Sequence, residues 1–315
     1  MISVNYEVSS AENVWVPLKN MEINMGDGIS FVDKNTGWAA GARYGEGLIY
    51  HTIDGGETWE KQRSGTKEDL LDIYFSDKEH GWAVGLNGTI LATSTGGAQW
   101  TKQTSGLDPD NFGGVPLSIG LSSVHFVNDR EGWIAASNAI LHTANGGISW
   151  ERQYFGTRFN LLRIYFVDSQ NGWAVGYNGV ILRTTTGGKK RWRVLSGWQE
   201  QESGVGEHLF DVFFIDKHYG WAVSANLILH TENGGKTWTV QSERLAKSLR
   251  RIRFIDRNRG WAIGAGKILF TINGGKDWQS SDLGHNYCLT GISFVGKDTG
   301  WIIGEHGTIL RYRPY

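Results

Sequence analysis

Short apolar segments, each bounded by Gly, Asn or Asp, recur along the whole chain. One unit reads Leu71-Asp-Ile-Tyr-Phe, then Gly81-Trp-Ala-Val-Gly, then Gly88-Thr-Ile-Leu-Ala-Thr, and finally Gln99-Trp-Thr-Lys-Gln. The segments are rich in β-branched and aromatic residues and are separated by turn-forming residues, which is typical of β-strands. The unit therefore predicts four short antiparallel strands.

The same unit is repeated seven times. Its second strand begins with a Gly-Trp pair in every copy, namely at Trp38, Trp82, Trp133, Trp173, Trp221, Trp261 and Trp301. A second tryptophan series closes a Thr-x-x-Gly-Gly motif, at Trp59, Trp100, Trp150, Trp192, Trp238 and Trp278. Repeats with a period of about 40 to 50 residues are typical of propellers and solenoids.

The ends of the repeat array favour a closed ring. The seventh copy supplies three strands up to Tyr315, and the segment Val14-Trp-Val-Pro-Leu supplies an unassigned strand whose Trp15 completes the second tryptophan series. Pairing this strand with the last copy closes the ring and leaves no open end. We predict an all-β, seven-bladed β-propeller of four-stranded antiparallel blades, forming a single domain over residues 1–315, with Trp198 left outside the repeat.

Composition narrows the functional classes. The chain has 315 residues, 44 glycines, 15 tryptophans, one cysteine and a net charge of −1. It has no apolar run long enough for a membrane-spanning helix, and no basic-then-apolar signal peptide at its start. The near-zero net charge argues against a nucleic-acid partner. Cys288 has no internal disulfide partner, and the nine histidines lack metal-ligand spacing, so we expect no metal and no cofactor.

The motif Thr52-Ile-Asp54-Gly-Gly56-Glu-Thr58-Trp59 has a structural logic, because a short carboxylate accepts turn amides and glycine adopts positive φ. It resembles the Asp-box, or bacterial neuraminidase repeat. The Asp is replaced by Thr95, Asn145, Thr186, Asn233 and Asn273 in the other copies, and one residue is inserted before Trp192. Six copies around a ring indicate a structural role for the box.

The combined unit, with Gly-Trp-Ala-Val-Gly, Ile-Leu-x-Thr and Gly-Gly-x-x-Trp segments, resembles the photosystem II stability and assembly factors of cyanobacteria and chloroplasts. That resemblance covers essentially the whole chain. It implies a non-catalytic scaffold that binds a membrane-protein precursor or assembly intermediate. It further implies a periplasmic or thylakoid-lumenal location. We expect a monomer.

A carbohydrate-active propeller, either a glycoside hydrolase or a polysaccharide lyase, is the alternative. Its site would lie at the channel mouth, its ligand would be a glycan, and a hydrolase would need two suitably spaced carboxylates. The candidate carboxylates are Asp72, Asp211, Glu200 and Glu202, and nothing in the sequence specifies their separation.

Charge is unevenly distributed along the repeat. Residues 1–150 hold 9 Lys and Arg against 18 Asp and Glu, whereas residues 151–260 hold 17 against 10. The neutral total therefore conceals an acidic and a basic sector. The innermost strands of blades one to seven carry a stripe of polar or small residues, which we expect to line the channel: Gly28, Asp72, Ser123, Arg163, Asp211, Arg251 and Gly291.

Two interpretations of the basic sector remain open. Asp211 flanked by Arg163 and Arg251 would form a structural ion cluster. Alternatively, arginines on the face of blades four to six would bind an acidic protein segment, because guanidinium forks bind carboxylates. Trp198, in a loop insertion, would either anchor a ligand or cover local apolar surface. The candidate binding residues are Arg158, Arg163, Arg250, Arg251, Arg253 and Trp198; no catalytic residue is assigned.

Overall fold

The structure, a computed structural model, describes residues 14–18, 25–106, 120–155, 160–189, 197–243, 248–282 and 288–313. These residues form seven four-stranded antiparallel sheets, each with its strands in chain order except at the ring closure. Blade one contains β2 (Met25–Phe31), β3 (Gly37–Arg43), β4 (Glu46–Thr52) and β5 (Glu60–Gln62). Blade two contains β6 (Leu70–Phe75), β7 (Gly81–Gly85), β8 (Ile90–Thr93) and β9 (Thr101–Gln103). Blade three contains β10 (Leu121–Phe126), β11 (Gly132–Ala136), β12 (Ala139–Thr143) and β13 (Glu151–Phe155).

The remaining blades follow the same plan. Blade four contains β14 (Leu161–Phe166), β15 (Gly172–Gly176), β16 (Ile181–Gly188) and β17 (Gly197–Gln201). Blade five contains β18 (Leu209–Phe214), β19 (Gly220–Ser224), β20 (Leu227–Thr231) and β21 (Thr239–Glu243). Blade six contains β22 (Leu249–Phe254), β23 (Gly260–Gly264), β24 (Lys267–Thr271) and β25 (Gln279–Asp282). Blade seven contains β26 (Leu289–Val295), β27 (Thr299–Gly304), β28 (Ile309–Arg313) and β1 (Val14–Pro17). Short 3-10 turns occur at Tyr177–Gly179 and Glu305–Gly307.

Ring closure occurs as the sequence predicts. β1 pairs antiparallel with β28, with Trp15 opposite Tyr312, so blade seven combines strands from both ends of the described chain. The seven-bladed propeller is thereby confirmed. The single-domain boundary of 1–315 stays a prediction.

Stacked aromatic pairs join neighbouring blades. The phenylalanine at or next to the end of each innermost strand stacks on the Gly-Trp indole of the preceding blade; Phe126 and Trp82, for example, have ring centroids 3.5 Å apart. The same phenylalanine meets the outer-strand tryptophan of its own blade edge-on, as Phe126 meets Trp150. A buried aromatic pair adds about 0.5–1.5 kcal/mol to the free energy of burying its rings. The repeated tryptophans therefore form the joints of the ring.

Box turns connect the third and fourth strands. In blade one, the Thr52 hydroxyl accepts the Gly56 N–H at 2.9 Å, and Asp54 accepts the Thr58 N–H at 3.0 Å. The turn then presents its Gly55 carbonyl to the Trp301 indole N–H of the neighbouring blade, at 2.8 Å. The box thus shapes a turn and caps a buried indole, as its sixfold repetition suggests.

Trp198 occupies the outer-strand position of blade four, so the prediction that it lies outside the repeat is wrong. Gln199 pairs with Arg183, in the register that the residue after the box tryptophan takes in other blades. The Trp198 ring meets Phe166 edge-on, and its indole donates to Gln153 Oε1 at 3.3 Å. The insertion falls between Gly188 and Gly197, which pair with each other. Trp192 lies outside the described residues.

Blade seven differs from the others because its two outer strands, β28 and β1, come from different parts of the chain and are not connected by a box turn. In the described part of the chain, the six other Gly-Trp indoles donate to a box glycine carbonyl at 2.8–3.3 Å. Trp261 has no described hydrogen-bond partner for its indole N–H. Its stack on Phe294 is also wider, with 4.6 Å between ring centroids. We call this joint between blades six and seven the seam.

Candidate functional site

The innermost strands carry a β-bulge near their start. The register shifts by one residue between Leu249 and Arg251, and at the corresponding point of the other blades. The bulged residue is unpaired, which turns its side chain toward the channel mouth. In blades two to seven these residues form a ring at the end where the innermost strands begin: Leu71, Ser122, Leu162, Phe210, Arg250 and Thr290.

This upper mouth encloses a cavity of about 360 Å³. Its remaining described lining is Tyr177, Arg251, Cys288 and Glu305. The Arg250 guanidinium lies 4.6 Å from the centroid of the Phe210 ring, and Tyr177 stacks on His208 at 4.2 Å. The mouth therefore combines two arginines with aromatic and aliphatic surface, a combination suited to a peptide that carries both an acidic and an apolar side chain.

An ion cluster lies below the mouth. Arg163 approaches Asp72 of blade two at 3.0 Å and Asp211 of blade five at 3.2 Å, and Arg253 of blade six approaches Asp211 at 2.9 Å. Arg163 reaches past blade three, where the corresponding residue is the small Ser123. Asp72 and Asp211 also accept the backbone N–H groups of Val124 and Ile252. The cluster binds four blades together across the channel.

A second cavity, the lower chamber, lies beyond the cluster and measures about 390 Å³. Four aromatic side chains from successive blades, Tyr74, His125, Tyr165 and Phe213, form one wall, with neighbouring ring centroids 4.8–5.0 Å apart. Ser30 and Ser293 contribute to its lining. Arg253 follows the arc, 5.5 Å from the Phe213 ring.

Burial controls protonation in the lower chamber. Burial, together with the charges of Arg253 and Arg163, lowers the pKa of His125 to about 3, although a hydrogen bond with the Phe166 backbone partly offsets this. Burial raises the pKa of Tyr165 to about 12 and that of Tyr74 in the same direction. At neutral pH the histidine is uncharged and both phenols keep their protons.

The structure separates the candidate arginines into two groups. Arg250 and Arg251 line the upper mouth, whereas Arg163 and Arg253 belong to the ion cluster. The second arginine on Asp211 is Arg253, where the sequence suggested Arg251. Arg158 lies outside the described residues. Trp198 is only 3% exposed, so the idea of an exposed anchor is corrected.

The carboxylates weighed for a glycosidase are not brought together as a free pair. Asp72 and Asp211 share the Arg163 guanidinium. Glu200 lies on β17, the outer strand of blade four, and Glu202 directly follows that strand. Because the channel carboxylates are already paired, the arrangement does not supply a free acid and a free base.

Neither the bulged ring nor the aromatic arc was predicted as a unit from the sequence. The polar stripe was predicted, but the residue before it was named only at Arg250. The position two residues beyond the stripe was named as a binding candidate only at Arg253, and not at Tyr74 or Tyr165. Period-2 alternation gave a usable signal for the arc, since those residues share a strand face with the stripe.

Comparison with known proteins decides the family. The family model described as "Photosynthesis system II assembly factor YCF48" matches residues 63–159, 193–288 and 252–313, which together exceed half of the chain. The chain belongs to the YCF48 family. The resemblance drawn from the repeat unit is thus confirmed.

Individual relatives match over shorter lengths. The photosystem II stability/assembly factor HCF136 of Arabidopsis thaliana chloroplasts is 37% identical over 20% of this chain and 17% of its own length. The photosystem II assembly lipoprotein Ycf48 of Synechococcus sp. (strain CC9902) is 31% identical over 32% of this chain and 28% of its own. The chain therefore aligns with well under two thirds of either YCF48-family relative.

A solved structure of YCF48 bound to a D1 peptide covers 96% of this chain and 97% of its own, with a TM-score of 0.75 and 22% identity. At that identity the likeness establishes the shared fold. In the described segments of this YCF48-family chain, no helix has the length and apolar character needed to cross a bilayer.

Proposed function

We propose that this protein is a photosystem II assembly factor that binds a segment of a photosystem protein at the upper mouth, without catalysing a reaction. Membership of the YCF48 family supports the role, and the solved relative in complex with a D1 peptide supports a peptide as the ligand. The observation that carries the site is the pairing of Arg250 with Phe210 at the channel mouth.

The chemistry of the mouth explains what a peptide gains there. Arg250 is exposed and has no described carboxylate partner, so its guanidinium is free to bind an acidic side chain or a terminal carboxylate. Leu71, Leu162 and Phe210 offer apolar contact beside it. A charge-assisted hydrogen bond of this kind contributes about 1.5–3 kcal/mol, equivalent to roughly a tenfold or greater change in affinity.

Overlapping fluorescent peptides that tile the D1 sequence test this proposal by anisotropy titration. We expect at least one peptide to bind, with an affinity that falls as salt is raised. Arg250→Glu should weaken it about tenfold or more. Lys102→Glu, the same charge change on the exposed outer strand of blade two, is the matched control and should leave binding unchanged.

Two results would count against the proposal. Failure of every D1 peptide to bind the wild-type protein would reject the partner. Equal affinity for the wild type and Arg250→Glu would reject the site. Arg253→Glu is unsuitable as a surface variant, because Arg253 is paired with the fully buried Asp211.

A further inference from the structure

The lower chamber is physically separate from the proposed peptide site. Its described lining and that of the upper mouth share no residue, and the ion cluster of Asp72, Arg163, Asp211 and Arg253 lies between them. The chamber's lining continues to Ile255 and Gly296, at the opposite end of the innermost strands. A ligand there would enter from the face opposite Arg250.

Most polar groups that line the chamber are hydrogen-bond donors. In the described part of the chain, no residue hydrogen-bonds to the hydroxyls of Tyr74 or Tyr165. The Arg253 Nη1 donates to Asp211 and to the Ile252 carbonyl, while its Nε and Nη2 have no described acceptor. The hydroxyls of Ser30 and Ser293 accept backbone N–H groups and keep their own protons for donation.

The carboxylate in the chamber wall is already engaged through one of its oxygens, Oδ2. Asp72, the carboxylate among the described lining residues, is paired with Arg163 and accepts the Val124 N–H. A neutral sugar gains less from the Arg253 guanidinium than an anion does, because a hydrogen bond between two charged groups is the stronger one. A carboxylate takes up donors without supplying any, so it fits the wall better.

The aromatic wall of the chamber indicates what the non-carboxylate part of the ligand is. The rings of Tyr74, His125, Tyr165 and Phe213 form a continuous arc, which packs against a flat apolar body. The cavity volume of about 390 Å³ is within the range of small-molecule sites. We propose that the lower chamber binds a small aromatic or unsaturated carboxylic acid, with its ring against the aromatic arc and its carboxylate near Arg253 and the tyrosine hydroxyls.

Benzoate is a suitable probe, titrated by isothermal calorimetry or ligand-observed NMR against the intact protein. Benzamide keeps the ring and removes the charge, and glucose tests the polyol alternative. We expect saturable benzoate binding with a submillimolar to millimolar Kd, at least fivefold weaker binding of benzamide, and no glucose binding at the same concentrations.

Tyr165→Phe removes one hydroxyl and keeps the ring, and should weaken benzoate at least threefold with the thermal midpoint little changed. Tyr177→Phe removes a hydroxyl at the upper mouth and is the matched control, with benzoate binding unchanged. If Tyr165→Phe proves unstable, Tyr74→Phe makes the same test in blade two.

Several outcomes would overturn the inference: absence of saturable benzoate binding, benzamide binding as tightly as benzoate, a preference for glucose, or an unaltered benzoate Kd in both tyrosine variants. Loss of benzoate binding in Arg250→Glu would instead place the acid at the upper mouth. The D1 peptide titration is a separate measurement, so failure of this inference and failure of the proposed function are distinguishable.

Discussion

His125 makes the stability of the propeller fall in mildly acidic solution. Its folded-state pKa is about 3, whereas an unfolded histidine titrates near 6.5. Between these values the unfolded chain binds a proton that the folded chain excludes, so unfolding is favoured as the pH decreases. The contribution of neutral His125 is complete above pH 6.5 and is lost progressively as pH falls toward 3.

The linkage relation gives the size of the effect. At pH 5, the difference in proton binding lowers the free energy of unfolding by about 2 kcal/mol relative to pH 7.5. The full shift corresponds to roughly 4–5 kcal/mol near pH 3. Asp54, with a pKa lowered to about 2 by hydrogen bonds that outweigh its burial, contributes mainly below pH 4 and is avoided by staying at pH 5 or above.

Urea denaturation at pH 7.5, 6.5, 5.5 and 5.0 tests this expectation on the wild type and on His125→Phe. The substituted ring matches Phe213, which takes the corresponding position in blade five. The wild type should lose about 2 kcal/mol more than the variant between pH 7.5 and 5. Effects of the buried His142 and of the partly buried His51 and His230 cancel in this difference, because both proteins retain them. Parallel curves for the two proteins would refute the reasoning.

Two further predictions concern packing and charge, and both are checked by denaturant titration at pH 7.5. Asp211→Asn removes the charge shared by Arg163 and Arg253, and should cost about 3–5 kcal/mol because the mostly buried Arg253 guanidinium loses its carboxylate partner and Arg163 keeps only Asp72; a loss below 1 kcal/mol would contradict a structural role for the cluster. Trp198→Ala should cost about 3–5 kcal/mol, whereas Tyr44→Ala, at a site 87% exposed, should change stability by about 0.5 kcal/mol or less. Equal effects of these two substitutions would refute the assignment of Trp198 to the blade-four joint.

The blade pattern was predictable because local and tertiary signals coincide. Each Gly-Trp pair begins a second strand, and each indole also forms a joint with the following blade, so one residue marks both strand and packing. The closure by β1 followed from the same regularity, because Trp15 supplied the outer-strand tryptophan that blade seven lacked.

Blade four shows where that reasoning fails. The sequence placed Trp192 in the box because it comes soonest after Gly187 and Gly188. In the structure Gly188 pairs with Gly197, and Trp198 follows directly in the outer strand. A motif with a fixed spacing cannot reveal which of two tryptophans reaches the buried position here, because neither Trp192 nor Trp198 stands at the usual distance from the glycine pair.

The ion cluster was predicted only in part, and the reason differs from the one in blade four. Alternation along β22 placed Arg251 and Arg253 on one strand face, but it carries no information on the distance across the channel. Arg163 spans from blade two to blade five because Ser123 leaves room between them. Such a contact depends on the curvature of the closed ring and on the size of a neighbour distant in sequence.

Because the upper mouth lies across the seam, a bound ligand affects the stability of the ring. Arg250 and Arg251 belong to blade six, whereas Thr290 and Glu305 belong to blade seven, so the mouth extends over the joint with the uncapped Trp261 indole. A segment bound there contacts both sides of the seam and links the two blades. Occupancy would then resist opening of the ring, by the mass-action stabilisation that any ligand of a folded state provides. The bound partner would thereby stabilise the closed propeller.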